Sequence, residues 1–272
     1  MKIKRLLALV LFNGATIVPA WAERVELGIS EPYAQGQYHA YASMWALAQD
    51  ETLALGRKAV EGEDYAATIT VDKTSFPARS TIDWHVPQEP LDLTGVYGYL
   101  QLSYGNYHGS RVPEPVEPAQ VSAIDRLDVS LSFSYSGDTR FNLLNELFLL
   151  SDPTDVDSVL FEVGVFARAS SEMNAYFNGG QQIGTYVDEQ GREWRAAYRN
   201  SPVGGYYVML IPANGEDVEG EFNWAGVFDF LVNEDVLDGT EWFTGIAVGV
   251  EPIAGAGQVQ IDAFAVDYLA GS

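Results

Sequence analysis

Three glutamates stand where buried strands seldom carry charge. In residues 159–167, Val159, Phe161, Val163, Val165 and Ala167 alternate onto one face, which puts Leu160, Glu162, Gly164 and Phe166 on the other. In residues 246–252, Ile246, Val248 and Val250 share a face and leave Ala247, Gly249 and Glu251 opposite. In residues 142–149, Glu146 falls with Asn142, Leu144 and Phe148. A carboxylate on an outer sheet face is commonly just solvated. Its companions would then be Thr, Lys or Ser. Here they include Gly and Ala, which leave a trough, and Phe166, which offers a stacking surface. Two carboxylates over such a trough suit glycoside hydrolysis, in which one carboxylic acid protonates the leaving oxygen and the other attacks or activates water.

The elements that must position these residues are strands. Period-two alternation recurs at 130–135, where Leu131, Phe133 and Tyr135 oppose three serines, and at 205–211, 244–250 and 259–268. Gly-rich turns at 178–180, 189–191 and 213–215 separate such runs. Many short strands with turns of this kind predict an antiparallel sandwich or jelly roll. Residues 222–232 break the pattern: Trp224, Val227, Phe228 and Leu231 recur at helical spacing and predict one short helix packed on a sheet. Residues 111–118, with three prolines, form a stiff loop that cannot be a central strand. Strands on both sides of it look alike, so we read a single domain over 23–272.

Residues 1–22 read as an address. Lys2, Lys4 and Arg5 precede a short apolar run, and Ala20-Trp21-Ala22 supplies the small residues of a cleavage site before Glu23. We therefore expect a secreted or periplasmic protein with no membrane attachment after cleavage. Removing three cations from a formal charge of −23 leaves −26 on 250 residues. So acidic a chain is a poor match for nucleic acid, which needs a basic face, and acidity of this degree fits salty surroundings. There is no cysteine, so the domain must stand on its core alone. His39, His85 and His108 lack zinc-ligand spacing, and Asp152, Asp155 and Asp157 lack the pattern of a calcium loop. The 152–157 segment reads as a solvated hairpin loop. No Gly-x-Ser-x-Gly elbow and no phosphate loop is present.

At the same glutamates the chain resembles glycoside hydrolase family 12, over about residues 36–268. Gly249-Val-Glu-Pro-Ile-Ala-Gly255 is similar to the family's acid/base run Gly-Thr-Glu-Pro-Phe-Thr-Gly, and Leu160-Phe-Glu-Val-Gly-Val-Phe-Ala167 to its nucleophile strand. Asn142-Leu-Leu-Asn-Glu-Leu147 resembles the upstream strand Asn-Val-Ala-Tyr-Asp-Leu, and Ser103-Tyr-Gly-Asn106 a Ser-Tyr-x-Asn motif. Residues 121–136 and 36–46 resemble the family's Ile-Ser-Ser-Ile-Pro lead-in and its strand ending Asn-Asn-x-Trp-Gly.

The resemblance implies an all-β, concanavalin-like jelly-roll sandwich of two antiparallel sheets with one short helix. It implies a monomeric, cofactor-free, retaining endo-β-1,4-glucanase acting on cellulose-type, mixed-linkage or xyloglucan chains. Glu162 matches the nucleophile, Glu251 the general acid/base and Glu146 the helper aspartate beside the nucleophile. Like charges held close disfavour double ionisation, so one of that pair should carry a proton. Trp45 matches a sugar-stacking tryptophan, and Trp84 resembles a further one. Glu146 is one methylene longer than the usual aspartate, and Ala42-Ser43 replaces an Asn pair before Trp45. Gly164 and Phe166 replace Met and Trp, which should widen the trough and weaken the platform. The altered nucleophile strand also motivates a rival reading, a glycan-binding jelly roll that lost its chemistry; a structural envelope protein is a third.

Overall fold

The computed structural model describes residues 23–45, 59–88, 95–137 and 140–271. The expected signal segment, residues 1–22, lies outside them. Among the described residues, sixteen strands form two sheets. The first sheet holds β1 (Arg24–Leu27), β4 (Ala66–Asp72), β5 (Ser80–Val86), β16 (Gly255–Ala270), β8 (Ile124–Gly137) and β14 (Gly220–Asn223), in that order. The second runs β11 (Gln181–Val187), β12 (Glu193–Asn200), β13 (Tyr206–Pro212), β10 (Val159–Arg168), β9 (Phe141–Leu150), β15 (Trp242–Pro252), β6 (Tyr99–Gly105), β3 (Tyr38–Ser43) and β2 (Pro32–Gln35), with β7 (Ala119–Gln120) beside β15.

Every strand anticipated from alternation is present. β8 shows the logic: Leu127, Val129, Leu131 and Phe133 are buried, while the intervening serines Ser130 and Ser134 face water. β8 pairs with β16 from end to end, Gly137 opposite Gly257 and Ile124 opposite Ala270. The inner faces of both sheets meet in one apolar core containing Trp84, Leu131, Phe141, Val163, Val248 and Ile261. β9 is buried along its whole length because it lies mid-sheet, between β10 and β15.

Two features depart from the expectation. β10 and β13 pair in parallel, so the second sheet is mixed. Among the described residues two α-helices of eight residues or more are seen, Ser171–Asn178 and Trp224–Asn233, where one was expected. α1 (Ser171–Asn178) follows β10 directly, with the Ser170 hydroxyl accepting the Met173 N–H as its N-cap. α2 (Trp224–Asn233) is the helix read from the apolar spacing. Asn223 caps it, and Trp224, Val227, Phe228 and Leu231 are its buried residues. Residues 111–118 form an irregular loop. The acidic loop between β9 and β10 is held by its own carboxylates, Asp152 accepting from the Thr154 N–H and Asp155 from the Asp157 N–H.

Candidate active site

β10, β9 and β15 are hydrogen-bonded neighbours, and their register gathers the three glutamates. Glu162 lies opposite Phe148, Gly164 opposite Glu146, Glu146 opposite Ala247, and Asn142 opposite Glu251. Cross-strand partners share a face, as do residues two apart, so Glu162, Glu146 and Glu251 project from one side of the sheet. That side is turned away from the main core and floors a cleft of about 1040 Å³, lined by all three glutamates, by Tyr99 and Tyr107, and by Trp45 just past β3. Trp45 is half-buried at the cleft wall, where a sugar ring can reach it.

The cleft arranges three carboxylates with three proton affinities. Glu146 is buried, which pushes its pKa well above the carboxylate range, and the charges of Glu162 and Glu251 push the same way. It is therefore the protonated member of the pair. Its acid O–H is hydrogen-bonded to Glu162, and its carbonyl oxygen accepts from the Tyr107 hydroxyl. Glu162 is raised by burial, but hydrogen bonds from Ser201 and Glu146 pull it back. The Ser201 hydroxyl donates to Glu162 Oε2 at 2.7 Å. Glu251 is pushed up to about 7 by burial, against the hydrogen bond from Asn142. That bond has a fixed direction. Asn142 Oδ1 accepts the Ser170 N–H at 3.0 Å, so only Nδ2 is left to face Glu251 Oε2, at 2.8 Å. The start of α1 thus orients the group that holds Glu251.

Ser201 supplies a direct test of this electrostatic arrangement. Ser201→Ala removes a hydrogen bond that favours ionised Glu162, so the acid limb of kcat/KM should move to higher pH and the plateau should drop roughly tenfold. A pH–rate profile with an unmoved acid limb would contradict that role.

Two residues expected in the cleft are elsewhere. Trp84 sits on β5 of the opposite sheet, 4% exposed, with its ring 5.1 Å from Phe141 and seated over Gly257. It is a core tryptophan: a Cβ at Gly257 would lie 2.4 Å from the indole. Phe166 does share the glutamates' face, but Met173 and Phe177 of α1 cover it together with Leu144 and Met209, and it is fully buried. Nor does Gly164 widen the trough. A Cβ there would stand 3.0 Å from the Tyr207 hydroxyl, 3.1 Å from Leu144 and 3.3 Å from Phe166, so those side chains already occupy the space. Gly164→Met, the residue the resemblance sets at this position, should consequently destabilise the protein by about 1–3 kcal/mol through overpacking, measurable by denaturant unfolding. Unchanged stability would mean the pocket beside Tyr207 is roomier than it looks.

Tyr107, Ser201 and the bridging role of Asn142 were not anticipated. Asn142 lies four residues before Glu146 on the same face, a signal that alternation does carry. The contacts of Tyr107 and Ser201 each span 39 residues and leave no local trace.

No protein-family model matches the chain, and no curated protein matches it by sequence. Solved structures do. A family 12 xyloglucanase from Bacillus licheniformis, in complex with ligand, superposes with TM-score 0.69 at 17% identity over 91% of this chain and 100% of that one. The catalytic domain of Humicola grisea Cel12A, in complex with a soaked thio cellotetraose, gives 0.71 at 14% identity over 90% and 99%. Endoglucanase 3 of Trichoderma harzianum, from family GH12, gives 0.68 at 16% identity over 92% and 100%. The chain has the fold of the family 12 glycoside hydrolases, the family that its motifs resemble.

Proposed function

We propose that this protein is a secreted, monomeric, retaining endo-β-1,4-glucanase that cleaves neutral β-glucan without a cofactor. The observation that carries the reading is the pair Glu162 and Glu251, on one face of one cleft, with different proton affinities. Such a division assigns acid and base among neighbouring carboxylates. Glu251 keeps its proton up to about pH 7 and donates it to the glycosidic oxygen. Ionised Glu162 attacks the anomeric carbon as the bond to that oxygen breaks, giving a glycosyl ester. Glu251, now a carboxylate, takes a proton from water, whose oxygen attacks the same carbon and releases Glu162. Glu146 keeps its proton throughout and holds the Glu162 oxygen through it. Trp45 stacks on the apolar face of a pyranose ring. The neighbours bear on the substrate: one is described as a xyloglucanase, and another was soaked with a thio cellotetraose.

The test is reducing-end release from carboxymethylcellulose, mixed-linkage β-glucan and xyloglucan, with the anomeric configuration of the first product read by NMR. Release with retention supports the reading. Retardation of the protein by β-glucan in a gel without any release would favour the non-catalytic binding module, and inversion would overturn the double displacement.

A further inference from the structure

A second pocket lies behind the glutamates, on the other face of the same strands. Phe161 and Glu162 are neighbours on β10 and point to opposite sides; Phe161 pairs with Tyr206 at the start of β13. This is the core-facing side of the sheet. Deeper along β13, Val208 is fully buried, yet Tyr206 is 44% exposed, because at these strand ends the facing cover is the turn after α2. The space left is about 410 Å³, within the range of small-ligand sites. Its walls are Phe161, Tyr198 and Tyr206, the last two ring to ring at 5.5 Å and perpendicular. Its rim carries Gln181, Glu234 and Asp235.

Of the polar groups there, Gln182 is committed, its Nε2 donating to the Phe177 and Gly180 carbonyls, and the others are free to meet a ligand. Among the described residues, no side-chain hydrogen bond engages the Gln181 amide, the Glu234 and Asp235 carboxylates or the Tyr198 and Tyr206 hydroxyls. Among the described residues no cation lines the pocket, which disfavours an anionic ligand. Aromatic faces with carboxylates and an amide at the edge are the complement of a saccharide: apolar C–H faces on the rings, hydroxyls donating to the carboxylates and bonding to the amide. A quaternary ammonium would also favour rings and carboxylates. It would leave the amide and both phenol hydroxyls without a partner, and it underfills the volume.

We infer that this pocket is a second, non-catalytic binding site for a neutral oligosaccharide, separated from the cleft by the turn at 201–205. That turn serves both sites. Ser201 holds Glu162, and Val203 lines the cleft, while Tyr206 follows immediately. The site would keep the protein on its polymer between cleavage events. Naming glucan as the polymer rests on the function proposed above; the pocket's preference for a neutral sugar does not.

The test uses Glu162→Gln protein, which cannot turn over ligand, titrated with cellotetraose and, separately, with tetramethylammonium while backbone NMR shifts are followed. Cellotetraose should perturb two sets of resonances, one around Glu146 and Trp45 and one around Tyr198, Tyr206 and Gln181. Adding Tyr206→Ala should weaken the second set about tenfold and leave the first unchanged. Gln181→Ala, at an exposed position, should weaken the same set. Shifts confined to the cleft, or a response at Tyr206 to tetramethylammonium alone, would overturn the inference. Shifts at Tyr206 with none in the cleft would uphold the pocket and remove the glucanase reading; no shifts anywhere would remove both.

Discussion

Glu162→Gln is expected to lower reducing-end release from every glucan by at least about a thousand-fold while leaving the fold intact. The amide keeps the shape of the carboxylate and can still accept from Ser201, so the hydrogen bond at 2.7 Å survives. What it loses is the anionic oxygen that forms the glycosyl ester. Unfolding should start no earlier than in the wild type, because the substitution removes a charge that raises the proton affinity of both Glu146 and Glu251. Glu162→Ala carries the argument further. With azide and an aryl cellobioside, a small anion can enter the space left by the side chain and displace the leaving group once. One displacement inverts the anomeric centre, so the product should be the α-glycosyl azide. A β-azide, or activity within tenfold of wild type, would remove Glu162 from the role of nucleophile. Glu146→Gln separates the neighbouring carboxylate. It keeps an N–H donor to Glu162, so most of the activity should remain, as measured by the same assay.

Period-two alternation made the strands and the glutamates' common face legible, since the side-chain period is a property of the backbone. It also placed α2, whose apolar residues at 224, 227, 228 and 231 fit one helical stripe. Alternation says which face a side chain takes; it does not say what covers that face. Phe166 shows the difference. It lies on the same face as Glu162, but α1 seals that end of the sheet. α1 itself was illegible because in eight residues it buries only Met173 and Phe177, too few to draw a stripe. The Gly164 gap failed for the same kind of reason, as Tyr207, which fills it, arrives from β13 across a parallel pairing. Trp84 matched a motif by neighbourhood in the chain, whereas its position depends on Gly257, its cross-strand partner on β16. Trp45, by contrast, was picked out by the resemblance, and it lines the cleft because β3, two residues before it, ends at the cleft edge.

Glu251→Gln is expected to cost about 10²–10⁴-fold on polysaccharide and to change the shape of the pH profile as well as its height. In the wild type, kcat/KM should fall on the alkaline side as Glu251 loses its proton near pH 7. The sign follows from the cause: burial disfavours the carboxylate, so the acid persists well above the range of an exposed glutamate, and activity that needs the acid persists with it. The amide has no proton to lose in that range, so the alkaline limb should disappear from the variant. The loss should also depend on the leaving group. A dinitrophenolate departs without protonation, so the first step should be nearly normal with a dinitrophenyl cellobioside, and a burst of phenolate should precede a slow steady state limited by water attack. Azide then replaces the water that Glu251 would have activated. Two successive displacements restore the configuration, so the product should be the β-glycosyl azide, opposite to that from the Glu162 variant. Should both variants yield the same anomer, the two glutamates do not divide the reaction between them. Asn142→Ala offers a milder version of the same experiment. Its Nδ2 donates to Glu251 and opposes the effect of burial, so its removal should push the alkaline limb further up in pH, with activity on the acid side retained.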